Sequence, residues 1–273
     1  HAEAERCATQ SLALADPAGE ASTLAHEVLG VARVYLGRSE QAAEALALAW
    51  RRSADRAPRP RLRVLSFLAI ADYSRGALGA ARERHVEALA LAERHAMMDV
   101  LATTALNLAT VDQQLGDWGA ALRGYERALR AARAAVRPST ELTVQHNLAN
   151  LYAAIGATER AEHALAEVEA RQGAEGLEPL RGAAASLRGE LARARGRLDE
   201  ASAAFERALA VFEAQAASRE VAECCLHLSA CAREAGELAR AEGLRARAEA
   251  CARGAGAPRA GARRGAPAGR PAR

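Results

Sequence analysis

The 273-residue chain is half hydrophobic by count but only 3% aromatic, and alanine supplies much of the apolar share. Its 37 basic residues are all arginine, against 34 acids, for a formal charge of +3. Without a lysine there is no P-loop, no Schiff-base amine and no kinase-type phosphate-binding lysine, and no apolar run reaches the roughly 18 residues of a membrane-spanning helix. Alanine is the strongest helix former and lets backbones approach closely, so the composition predicts an all-α chain of tightly packed helices. The Ala, Arg, Gly and Pro content is also what GC-rich bacterial coding produces, so arginine content alone assigns no function.

In chain order, the stretch AEAERCATQSLAL near the N-terminus reads as one helix, and residues 1–19 as the second half of a repeat whose first half lies upstream. His1 opens the sequence with no charged-then-apolar leader after it. A ladder of glycines follows at Gly37, Gly76, Gly116, Gly156, Gly196 and Gly236, in steps of 39 or 40. Five residues beyond each stands alanine, from Ala42 to Ala241, and twelve beyond stand Ala49, Ala88, Ala128, Val168, Ala208 and Ala248. Eight residues before five of the six stands leucine, with Arg188 the exception. Each glycine therefore ends one helix in a left-handed cap and a second, small-faced helix follows. The expected helix pairs are 20–55, 58–96, 97–136, 138–172, 177–215 and 217–253. Tyr125, Leu165 and Phe205 are the bulky residues expected to fill the space between neighbouring units.

The segment NLATVDQQLGDWGAALRGYERAL (Asn107–Leu129) resembles a tetratricopeptide repeat: leucine before a Gly-Asp turn, an aromatic, then Ala, Tyr and Ala at helical spacing. HNLANLYAAIGATERAEHAL (His146–Leu165) repeats it, and RGRLDEASAAFERAL (Arg195–Leu209) matches the second half. The period of about 40 is similar to the longer repeats of kinesin light chains and of bacterial regulators of the maltose-activator kind. The resemblance implies a right-handed α-solenoid over residues 20–253, in which helix pairs stack because none can bury its apolar face alone. Residues 254–273, of Gly, Ala, Pro and Arg only, read as a disordered tail. From Arg253 onward the chain has six arginines and no acid, which leaves the remainder at −3.

In such a fold the first helices line the inner surface. Nine residues before the last five turn glycines stand Phe67, Asn107, Asn147, Leu187 and His227, and six before them stand Ile70, Thr110, Asn150, Glu190 and Ala230. In the resembled superfamily, asparagines at these places commonly pair with the backbone of an extended peptide, because an amide both donates and accepts. The expected groove residues are Thr103, Asn107, Thr110, Gln113, Gln114, Thr143, His146, Asn147 and Asn150; the alternative is that the asparagines are solvated or pair between helices. The lysine–arginine clamp by which chaperone cofactors hold a terminal carboxylate is missing. Cys224, His227 and Cys231 share one helix face but offer only three of the four ligands zinc prefers, so no metal or other cofactor is expected. No GxSxG, HExxH or glycine-rich phosphate motif suggests an enzyme. Five cysteines without framework spacing suit a reducing compartment. The arginine tail has no aromatic for base stacking, so its expected contact with nucleic acid is weak and non-specific. The sequence thus predicts a cytoplasmic bacterial interaction scaffold for a protein or peptide partner, or alternatively the sensor arm of a larger signalling protein with an upstream ATPase or kinase.

Overall fold

A computed structural model describes residues 1–17, 19–175 and 178–256. Among them the chain is all-α, with no strand. Its thirteen helices are α1 (Ala2–Leu14), α2 (Glu20–Tyr35), α3 (Ser39–Arg51), α4 (Pro58–Ser74), α5 (Leu78–Arg94), α6 (Met98–Gln114), α7 (Trp118–Ala134), α8 (Pro138–Ala154), α9 (Thr158–Glu175), α10 (Glu178–Ala194), α11 (Leu198–Ala214), α12 (Ser218–Glu234) and α13 (Leu238–Gly256). They form two compact units, His1–Gly176 and Leu177–Arg273. The first holds α1 and the pairs α2–α3, α4–α5, α6–α7 and α8–α9; the second holds α10–α11 and α12–α13. The expected tail begins inside α13, which continues to Gly256, and its remainder lies outside the described residues.

All six ladder glycines have positive φ, between 73° and 82°, with open space where a Cβ would stand. Backbone conformation, not crowding, therefore selects glycine there. The turns close as Schellman caps: Gly116 N–H donates to the Gln113 carbonyl at 3.0 Å and Asp117 N–H to the Asp112 carbonyl at 2.9 Å. Three of the turns that join successive pairs use left-handed geometry without glycine, at Ala96 (φ 50°), Val136 (φ 51°) and Ala216 (φ 52°). No sequence rule marks these positions, because alanine and valine are poor left-handed residues.

Within a pair, small side chains let the helices close. Ala121, Ala128, Ala161 and Ala201 are fully buried, as the ladder predicts. The bulky fillers Tyr125, Leu165 and Phe205 are buried to 1% exposure or less. Phe205 needs a hole, and Gly189 supplies it: a Cβ there would sit 2.7 Å from the Phe205 ring. In the first unit α2 also packs on α4, and α6 on α8, whereas the second helices pack chiefly on first helices. The first helices thus lie together on one side, and their free faces form a shared surface.

Candidate functional site: the first-helix face of the amino-terminal unit

All nine expected groove residues lie on α6 and α8, and the structure divides them into two groups. Thr103 and Gln114 are exposed and Asn107 is half-buried, and no hydrogen bond engages any of the three side chains among the described residues. Thr103 opens into a cleft of about 460 Å³ between α4 and α6. Asn107 carries a free amide on the same helix. These three can serve a ligand directly.

Most of the others are engaged within the repeats. Tyr125 on α7 is 1% exposed, so its hydroxyl must find partners from inside. It donates to Gln113 Oε1 at 2.8 Å and lies 3.2 Å from Thr110 Oγ1, with the Asn147 amide alongside. Thr110 is also bonded to the Leu106 carbonyl at 3.0 Å. Burial raises the Tyr125 pKa, and its bonds to Thr110 and Asn147 offset this only in part, so the hydroxyl stays protonated as a donor. Thr143 Oγ1 donates to the Ser139 carbonyl at 2.9 Å, a local helix bond. Asn150 Nδ2 reaches the His146 ring and, at 3.3 Å, the His146 carbonyl. His146, expected on the groove surface, is buried at 8% exposure, because its position on α8 turns it toward the packed side. The equivalence of Asn107 and Asn147 is therefore positional only: one amide is free, and the other stands at a tyrosine hydroxyl.

Further along the same face the register is apolar. Val28 on α2 and Phe67 on α4 stand nine residues before their turn glycines, where α6 and α8 carry Asn107 and Asn147. Val28 is 45% exposed, as are Leu24 at 39% and Tyr35 at 59%, and the Tyr35 ring meets Phe67 edge-on at 6.1 Å. The surface thus runs from an apolar stretch on α2 and α4 to amides and hydroxyls on α6 and α8. Sequence reasoning passed over Arg59, Arg63 and Arg137 at the rim of the cleft beside Thr103. The available signal was position, since Arg59 and Arg63 fall in the first two turns of α4 and Arg137 caps α8.

In the carboxy-terminal unit the cysteine–histidine face is occupied by packing. Cys224 and Cys231 are buried, and His227 stacks on Phe205 at 4.7 Å. Burial raises all three thiols on α12, that of Cys224 to about 12, which disfavours thiolate chemistry at neutral pH. No group of three metal-ligating side chains is found among the described residues, and none of their helices is long and apolar enough to cross a membrane.

Comparison with known proteins agrees with this architecture. Residues 100–172, spanning most of α6 to α9, match the tetratricopeptide repeat family model. No curated protein matches the sequence. Among solved structures, the apo form of RapI superposes with a TM-score of 0.75 at 12% identity, over 91% of this chain and 89% of that one. NprR in complex with its cognate peptide NprX gives 0.65 at 13% identity, over 84% and 68%. The nearly identical TPR-like repeats of a putative kinesin light chain from Podospora anserina give 0.56 at 24% identity, over 73% and 98%. The glycine ladder, the paired helices and these likenesses make the chain a helical repeat protein with a TPR-like fold, in which residues 100–172 match the tetratricopeptide repeat model.

Proposed function

We propose that the chain is a protein-interaction scaffold whose amino-terminal unit holds an extended segment of a partner protein along the free faces of α2, α4, α6 and α8. The observation that carries this reading is the Asn107 amide, half-buried and without a partner among the described residues, on a face where the Gln113 and Asn150 amides are used internally. An amide so placed can accept from one peptide N–H and donate to one carbonyl whatever the side chains of the ligand. Thr103 and Gln114 extend the polar strip, and Val28 and Phe67 offer apolar contacts at the same register further along. NprR was solved with a peptide, and a Rap protein was solved with Competence and Sporulation Factor; the shared fold supports the same use here. In this reading the protein works in the cytoplasm.

The test is capture of partners from the native host, followed by titration of the segment that binds. Replacing Asn107 by Ala removes a hydrogen-bonding amide worth about 0.5–1.5 kcal/mol, so affinity should fall roughly two- to tenfold while the helical signal stays unchanged. Adding Thr103→Ala should weaken it further. Equal affinity of wild type and the double variant would remove the first-helix face as the site.

A further inference from the structure

The arginine-rimmed cleft between α4 and α6 indicates what kind of segment the face takes. Its floor is apolar, from Leu62, Phe67 and Val100, and its rim carries the guanidinium groups of Arg59, Arg63 and Arg137. Two of the three are already countered. Arg59 makes a two-pronged contact to Asp99, at 3.2 and 3.3 Å, and Arg63 reaches the buried carboxylate of Glu27 at 2.6 Å. Both remain largely exposed, at 65% and 60% for the side chain, so each keeps donors for a ligand. Arg137 is exposed and has no carboxylate partner among the described residues. The cleft therefore holds uncompensated positive charge beside an apolar floor, on a chain whose residues before Arg253 sum to −3. Thr103 belongs to the wall of this cleft and stands one helical turn before Asn107, so the cleft continues directly into the polar strip.

Resting on the scaffold reading above, we infer that the preferred partner segment is acidic and apolar: a carboxylate seated on Arg137 with Arg59 and Arg63, next to a large aliphatic or aromatic side chain lying over Phe67, with its backbone passing on to Asn107. Guanidinium forks bind carboxylates in two-pronged geometry, and an apolar floor lowers the local dielectric and strengthens that contact. A basic segment would meet repulsion at the same rim. A neutral apolar one would leave the guanidiniums without the added charge that favours binding.

The probe is a random decapeptide library displayed on phage and selected on the full-length protein. Wild type should enrich peptides with Asp or Glu next to Leu, Ile or Phe, and a selected peptide with its acid changed to the amide should bind at least tenfold more weakly. Arg137→Glu leaves no intramolecular ion pair broken, so the fold should survive; it should lose the acidic peptides and select Lys- or Arg-bearing ones instead. Raising salt should weaken the acidic peptide far more than its amide analogue. Selection without acidic enrichment, or identical selections on wild type and Arg137→Glu, would overturn the inference. Asn107→Ala separates the two readings, because it should weaken acidic and amide peptides by the same factor. If that holds while the charge swap does nothing, the cleft assignment falls and the scaffold face stands. If no peptide is enriched, or Asn107→Ala also has no effect, both fall.

Discussion

The α4–α5 and α6–α7 pairs are neighbouring copies of one plan that solve the same packing problem with different chemistry. Both bury an aspartate four residues before the turn glycine and hold it with an arginine from a second helix: Asp72 with Arg84 at 2.8 Å, Asp112 with Arg82 at 2.7 Å. Both leave the pair through a left-handed residue that is not glycine, Ala96 in one and Val136 in the other. They differ in the filler nine residues after the glycine. In α7 it is Tyr125, whose hydroxyl is met by Thr110 and Gln113. In α5 it is His85, equally buried at 1% exposure, with no partner for its Nδ1. The frame repeats because helix crossing dictates it. The filler varies because any bulky side chain closes the gap, provided its polar atoms are met or kept neutral.

Five substitutions, at four positions, sharpen or break this comparison. The largest effect belongs to Tyr125→Ala, which should cost about 3–5 kcal/mol by emptying a buried aromatic site. Tyr125→Phe keeps the volume but strands Gln113, and should cost about 1–2 kcal/mol. Chemical denaturation at neutral pH reads both, and a Phe variant as stable as wild type would mean that the hydroxyl network adds nothing to the filler's packing.

His85 should make the amino-terminal unit sensitive to acid. Burial lowers its pKa from 6.5 to about 4. The unfolded chain takes up a proton near pH 6.5 that the folded chain refuses until about pH 4, so this contribution is whole above pH 6.5 and is lost as the pH falls through that window. In full the loss comes to about 3 kcal/mol. Leucine fills the corresponding place at Leu46 and Leu165, so His85→Leu should flatten the stability profile between pH 6.5 and 4. An unchanged acid limb in the variant would show that other groups set it.

The smallest effect concerns the exit turns. Val136 is β-branched, 82% exposed and held at φ 51°. Val136→Gly relieves the left-handed strain and sacrifices little packing, though it frees the unfolded chain. A net gain of about 0.5–1 kcal/mol, roughly a few degrees in midpoint, is expected from scanning calorimetry. The same change at Ala96 should gain less, because alanine lacks the branched carbon.

The repeat frame was legible in the residues because its determinants are local and recur. A left-handed cap favours glycine, as at Gly116 and Gly156, and a close crossing favours a small residue, as at Ala121 and Ala161; both preferences reappear every 40 residues or so. The all-α class and the helix pairs follow from those preferences without reference to distant contacts. The role of each polar side chain was not legible. Asn107 and Asn147 are the same residue at the same place in the frame, and the filler across the interface separates them: Tyr125 stands beside Asn147, while Asn107 keeps a free amide. His146 and Thr110 likewise look available along the helix and are taken up by packing and by a neighbouring helix. The arginines beside Thr103 form a site only because α4, α6 and the cap of α8 come together across almost 80 residues of sequence. Tertiary structure alone decides such matters, because whether a hydrogen-bonding group is free depends on what the neighbouring helix brings against it.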